Sequence, residues 1–117
     1  MFFVDILKVL PNELDCFVGT YDLDDNIVLS LMNDISDRTF DKFIHLNQQN
    51  KNLFIERLIK ATIVEYFQII EIKKNSLLLF RGYDGIESGN ISNTILIPDW
   101  FKQKYKEDWD FTISKDW

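Results

Sequence analysis

Few residues of this chain have the chemistry for catalysis. A cysteine thiolate is a nucleophile when a base or cation lies near it, and Cys16 and His45 are the single cysteine and the single histidine. Cys16 lies in an apolar run, where a lone cysteine is typical of a buried small hydrophobic residue. His45 follows Ile44 on a predicted helix, and no ligand pair has zinc spacing. The sequence therefore predicts no catalytic pair, no metal, no cofactor and no enzyme.

One spacing matches part of a calcium-binding loop. Asp22, Asp24 and Asn26 stand at the first, third and fifth ligand positions of an EF-hand. Ile27 then occupies the position that needs glycine, and Asn33 stands where a bidentate glutamate closes the coordination shell. Aspartate and asparagine are also the common residues of tight turns. The sequence therefore predicts an acidic turn rather than a calcium site.

The negative charge lies almost entirely in the first third of the chain. Residues 1–41 hold nine acidic and two basic residues, a charge of −7, whereas residues 42–117 hold ten acidic and eleven basic residues, a charge of +1; together they make the net −6. An acidic balance disfavours nucleic acid, because phosphates are neutralised by clustered lysine and arginine. It favours a basic protein, which such a field steers toward one side of the molecule. The residues predicted to bind this partner are Asp15, Tyr21, Asp22, Asp24, Asp25, Asp34, Asp37 and Asp41.

Size, acidity and the absence of catalytic motifs together favour a cytoplasmic protein-binding domain. The most concrete version is an immunity protein or antitoxin that neutralises a bacterial nuclease toxin. A nuclease cleft is basic because it holds phosphates, so an acidic inhibitor can occupy it and associate quickly. Tyr21 or Phe17 would anchor that contact.

Two alternatives remain open at this stage. One is a small-ligand-binding protein or enzyme with a pocket formed around residues 81–89 (Arg81–Gly89), where Arg81 would hold an anionic ligand. The other is an assembly subunit that docks through an aromatic C-terminal tail. All three tryptophans, Trp100, Trp109 and Trp117, lie in the last 18 residues.

The elements that position these residues are predicted from the hydrophobic pattern. Strands are predicted at residues 2–10, 14–22, 27–32, 69–73, 76–83, 93–97 and 111–113, the first three as an antiparallel meander. A first helix is predicted from a cap at Asp34 or Ser36 to about residue 48. A second is predicted from a cap at Asn50 or Asn52 to an end between residues 62 and 72, and a third at residues 98–106.

These elements predict one α+β domain over residues 1–117. We expect an antiparallel sheet of about five strands, with two helices on one face and a short C-terminal helix. An apolar fraction of 46% and ten phenylalanines are sufficient for one hydrophobic core. The N-terminus does not read as a signal peptide, and no apolar run approaches the length of a membrane span, so no membrane contact is expected.

Overall fold

Helices and strands are mixed along the chain, and a computed structural model describes residues 1–105 and 111–117. In these segments the helices are α1 (Phe2–Val9), α2 (Asn26–Leu31), α3 (Gln48–Ala61), a 3-10 helix (Ile63–Tyr66) and α4 (Asp99–Tyr105). The strands are β1 (Leu14–Thr20), β2 (Asn33–Asp34), β3 (Lys42–Leu46), β4 (Phe67–Lys74), β5 (Leu77–Tyr83), β6 (Ser88–Ile91) and β7 (Phe111–Ile113). This content confirms the α+β class.

All described strands belong to one sheet, in the order β2-β3-β1-β4-β5-β6-β7. The neighbouring strands pair antiparallel, except that β6 and β7 are parallel. The expected number of about five strands was therefore too low, and the sheet is not purely antiparallel. The expected meander of the first three segments is also wrong, because only the second of them, β1, is a strand.

One face of the sheet carries the hydrophobic core. Cys16 on β1 lies opposite Ile44 on β3 and Ile72 on β4, and all three side chains are fully buried. The alternate residues of the same strands, such as Phe17 and Glu71, point to the other face. The buried residues of the helices belong to the same core cluster, so the helices cover one face only.

Helix α1 occupies residues that the sequence predicted as a strand. Its buried residues come in adjacent pairs, Phe2 with Phe3 and Ile6 with Leu7, which is helical spacing. The ring of Phe3 contacts three other phenylalanines, one on α3 and two on the sheet, and these are Phe54, Phe67 and Phe80. This burial overrides the β propensity of a run rich in aromatic and branched residues.

In two further segments the sequence predicted the wrong type of element. Residues 27–32 form α2 instead of a strand, because the side chain of Asp25 caps the helix by accepting a hydrogen bond from the amide of Val28 at 2.9 Å. Residues 42–46 form β3 instead of a helix, since Ile44 is buried while His45 is exposed, and this alternation has the period of a strand. Residues 93–97 form no strand.

The second half of the chain agrees better with the prediction. The β4–β5 hairpin, α4 and β7 lie where the sequence placed them. Helix α3 was also predicted, but it begins earlier, at a cap formed by Asn47 rather than by Asn50 or Asn52. No helix in the described part of the chain has the length and apolar character needed to cross a membrane.

Candidate functional site

The strand directions bring four chain connections to the same end of the sheet. β1 ends where β4 begins, with Thr20 opposite Phe67, and β3 begins beside Val18. β5 ends and β6 begins at this end too, with Tyr83 opposite Ser88. The connections that meet here are residues 20–25, 35–41, 62–67 and 84–87. Loops gathered at one end of a rigid sheet are a common place for binding residues.

Acidic side chains dominate this end of the sheet, which we call the acidic end. Seven carboxylates in these connections are exposed and form no ion pair with a described residue. They are Asp22, Asp24, Asp37, Asp41, Glu65, Asp84 and Glu87. The same connections contain one exposed basic residue, Arg38. The acidic end is therefore strongly negative at neutral pH.

Backbone hydrogen bonds hold the connections of the acidic end together. The carboxylate of Asp41 accepts hydrogen bonds from the amide and hydroxyl of Thr20, at 2.8 and 2.7 Å. The amide of Tyr21 donates to the carbonyl of Tyr66 at 2.8 Å, so two exposed tyrosines lie on neighbouring segments. Their exposed fractions are 63% and 36%. The surface thus combines fixed negative charge with accessible aromatic area.

Asp37 is held by its own loop. Its carboxylate accepts hydrogen bonds from the amides of Thr39 and Phe40, at 2.8 and 3.2 Å, and these bonds lower the pKa of Asp37 below its ordinary value. The Asp37 side chain therefore stays charged, and its position is set by the backbone that carries it.

A cleft opens at the acidic end between the 3-10 helix and the β5–β6 turn. Its volume is about 620 Å³. Its lining combines apolar and acidic side chains: Met1, Phe2, Thr62, Val64, Glu65, Gln68, Asp84, Gly85, Ile86 and Glu87. Three of these are carboxylates and Met1 carries the terminal amino group, whereas no lysine, arginine or histidine among the described residues belongs to the lining. The turn is fixed to β4 by hydrogen bonds from the amides of Asp84 and Gly85 to the carbonyls of Gln68 and Phe67.

The backbone around the cleft is strained. Thr62, Asp84 and Ile86 have positive φ angles of 52°, 53° and 54°, in the left-handed region that β-branched residues rarely adopt. Gly85 also has a positive φ, and a Cβ atom there would lie 3.5 Å from the Cα of Glu65. Such conformations cost free energy and cluster at functional sites.

Two of the predicted acidic residues are neutralised within the fold. Asp25 pairs with Arg57 of α3 at 2.6 Å, and its pKa is lowered by the hydrogen bonds from Arg57 and from the amide of Val28. Asp34 pairs with Lys42 across β2 and β3. Asp25 is largely buried, whereas Asp34 stays exposed with its charge balanced by Lys42.

Asp15 lies away from the other acidic residues. It stands near the opposite end of β1, where its carboxylate lies 2.8 Å from Nδ1 of His45, while Glu13 lies 2.7 Å from Nε2. These two hydrogen bonds, the one to Asp15 being the stronger influence, raise the pKa of His45. The structure therefore brings together four of the seven predicted aspartates, with Tyr21 beside them, and separates Asp15 from them.

The cleft lies in the region where one alternative placed a pocket, because Asp84, Gly85, Ile86 and Glu87 belong to residues 81–89. The residue expected to hold the ligand lies elsewhere. Arg81 does not line the cleft, because its guanidinium pairs with Glu71 at 2.6 Å on the open face of the sheet. The ring of Trp117 lies over the same guanidinium, 5.8 Å from its carbon. Trp100 is 46% exposed on α4. Trp109 lies outside the described residues.

Sequence reasoning missed part of the acidic end. Glu65 and Tyr66 were not singled out, and Asp84 and Glu87 were not among the acidic residues predicted to bind the partner. They lie 24 or more residues along the chain from Asp41, and no local pattern relates them to it. Only the strand order and pairing bring these residues to one place.

The described residues offer no metal site. No group of three histidine, cysteine or acidic side chains among residues 1–105 and 111–117 is arranged to hold a metal ion. Cys16 faces the core and His45 the opposite face, so they are not a nucleophile–base pair. Burial raises the pKa of the Cys16 thiol, which keeps it protonated and unreactive.

The chain matches no known protein family, no curated protein and no solved structure with which it was compared. The geometry of the acidic end is therefore the basis for a functional proposal.

Proposed function

We propose that this chain is a protein-binding domain that presents its acidic end to a basic protein. The observation that carries this proposal is the convergence of seven exposed carboxylates from four separate connections, none of them in an ion pair with a residue that the structure describes. A negative surface of this kind concentrates a cationic partner nearby and accelerates its association.

Two tyrosines are the natural anchors of this contact. Tyr21 and Tyr66 are exposed, and a backbone hydrogen bond joins the two segments of the acidic end that carry them. Tyrosine supplies a large contact area with few rotatable bonds, and its ring face attracts cations. Charge would then set the rate of association, and the tyrosines would slow dissociation.

A nuclease toxin is the most concrete basic partner. Its active site must bind phosphates, so an acidic inhibitor that covers it competes directly with nucleic acid. In this version the domain is an immunity protein or antitoxin, and Asp22, Asp24 and Asp41 stand in for phosphate charges.

The test is affinity capture from the lysate of the source organism, followed by association kinetics with each captured protein. The charge-reversal variant Asp22→Lys/Asp24→Lys is compared with wild type, because neither carboxylate takes part in an ion pair or hydrogen bond with a described residue. Asp25 is unsuitable, since it caps α2 and pairs with Arg57. We expect association at low ionic strength to slow by about tenfold or more.

The matched control is Asp99→Lys/Asp116→Lys, which makes the same change of charge in segments that leave the sheet at its opposite end. A neutralising variant, Asp22→Asn/Asp24→Asn, guards against misfolding, because asparagine tolerates the left-handed backbone of Asp22. The proposal would be contradicted if wild type and both acidic-end variants associated with the partner at equal rates. It would also be contradicted if the control variant lost binding to the partner as strongly as the acidic-end variants do.

A further inference from the structure

The cleft at the acidic end has two chemical zones. Phe2 and Ile86 are almost completely buried and Val64 is half-buried, so they form an apolar floor. Glu65, Asp84 and Glu87 are exposed and form an acidic rim. A ligand that fits both zones has an aliphatic part and a positive charge at its end.

An arginine side chain has this division. Its three methylene groups pack on apolar surface while its charged end stays in contact with water or carboxylates. Its planar guanidinium carries five N–H donors, enough to bond more than one carboxylate, and it is less strongly hydrated than an ammonium group. The charge of the rim is complementary to it, because the described lining contains three carboxylates, no lysine, arginine or histidine side chain, and one other charged group, the terminal amino group of Met1.

The turn that carries the rim is preorganised. The hydrogen bonds from Asp84 and Gly85 to β4, at 2.9 and 2.8 Å, hold it in place before any ligand arrives. A bound side chain then loses its own freedom but does not have to order the turn, which lowers the cost of binding.

We infer that the cleft between the 3-10 helix and the β5–β6 turn binds an arginine side chain of the basic partner. This inference rests on the proposed function, which supplies the partner, and it names the residue type that the partner inserts. The arginine stem lies on the apolar floor, and its guanidinium bonds the carboxylates of the rim.

The test uses a small probe and needs no partner. Nuclear magnetic resonance spectra of the ¹⁵N-labelled chain are recorded during titration with N-acetyl-arginine-N-methylamide. The uncharged isostere N-acetyl-citrulline-N-methylamide is the control ligand. We expect saturable shifts of the amides of Glu65, Gly85 and Ile86 with the arginine probe, and affinity weaker by about threefold or more with citrulline, as expected for the loss of an exposed ion pair.

A variant pair locates the site. Glu87→Gln removes a rim carboxylate and should weaken binding of the arginine probe by about threefold. Asp22→Asn removes a carboxylate of the acidic end that does not line the cleft, and should leave the affinity nearly unchanged. Absence of saturable shifts at the cleft, or equal affinity for the two probes in the wild-type chain, would overturn the inference.

The two proposals fail separately. Arginine binding in the cleft together with unchanged association of Asp22→Lys/Asp24→Lys would refute the proposed partner surface and leave the cleft assignment standing. Slowed association without probe binding would refute the cleft assignment alone.

Discussion

At the scale of single residues, the environment of His45 has a measurable consequence. The imidazole lies between the carboxylates of Asp15 and Glu13, and hydrogen bonds to these groups raise its pKa. The folded pKa therefore exceeds that of the unfolded chain. This arrangement contributes fully to the free energy of unfolding below the unfolded pKa of about 6.5, and its contribution is lost as the pH rises through the folded pKa.

Asp15→Asn should lower the pKa of His45 toward its ordinary value and flatten this pH dependence. Because the chain contains one histidine, its ring protons can be followed without ambiguity in an NMR titration. Asp116→Asn, which removes an exposed carboxylate distant from the imidazole, is the control. An unchanged pKa in Asp15→Asn would mean that the hydrogen bond to Nδ1 does not hold the charged form.

Thr62 shows the cost of the backbone conformation beside the cleft. It ends α3 with a φ of 52° and a ψ of 40°, where glycine is the usual residue. Thr62→Gly removes a β-branched side chain from the left-handed region and should raise the free energy of unfolding by about 0.5–1 kcal/mol. This is the net gain once the entropic cost of ordering the more flexible glycine has been subtracted. Chemical denaturation measures the change.

Ala61→Gly is the matched substitution one residue earlier. Ala61 is helical, so glycine there should destabilise the chain by about 0.5–1 kcal/mol. If the free energy of unfolding rises in Thr62→Gly and falls in Ala61→Gly, the left-handed backbone at residue 62 is the cause of the difference. A loss of stability in both variants would show that the Thr62 side chain makes a contribution larger than its strain.

At the scale of elements, the beginning of α3 is set by a reciprocal cap. The side chain of Asn47 accepts hydrogen bonds from the amides of Gln49 and Asn50, each at 3.0 Å, while the side chain of Asn50 accepts from the amide of Asn47 at 2.7 Å. These bonds satisfy amides that the helix itself leaves unpaired.

Asn47→Ala should therefore lower the free energy of unfolding by about 1 kcal/mol. Asn52→Ala is the control, because Asn52 is exposed within the helix and alanine there should be neutral or slightly stabilising. Thermal unfolding followed by circular dichroism gives both values. Equal losses in the two variants would contradict the role of the cap.

The elements also show which local signals can be read from the sequence. Helix α3 and the β4–β5 hairpin were predicted because a long apolar stripe and two apolar runs separated by Lys74 and Asn75 are strong local signals. In the structure the turn is one residue later, at Asn75 and Ser76. The segment of α1 was predicted as a strand and the segment of β3 as part of a helix, because a short apolar run is compatible with both helical and strand periodicity. The outcome depends on burial against distant residues: Phe3 packs on Phe80, and Ile44 lies opposite Cys16.

At the scale of the whole molecule, the charge of the candidate site could be read from the sequence but its location could not. The excess of aspartate before residue 42 is evident, yet Asp15, Asp25 and Asp34 are engaged with basic side chains of the fold. Glu65 and Glu87 join the site from the part of the chain whose net charge is near zero. Strand order decides this gathering, and it depends on contacts that no local sequence pattern contains.

A surface that gathers like charges destabilises the free protein. Each exposed carboxylate of the acidic end repels the others, and the repulsion between carboxylates of different connections is weaker in the extended unfolded chain. Asp24→Asn and Glu87→Gln, separately and together, should therefore raise the midpoint of thermal unfolding at low ionic strength. Asp116→Asn, at the other end of the sheet, should change it less.

The salt dependence separates this repulsion from local effects of the substitutions. The screening length falls from about 30 Å at 0.01 M to about 3 Å at 1 M ionic strength. The gain in the midpoint should shrink toward zero over this range if it comes from repulsion among carboxylates. A gain that persists in 1 M salt would instead report a local packing change. If a variant with a higher unfolding midpoint loses that gain in salt and also associates more slowly with the partner, the same charges oppose folding and favour binding.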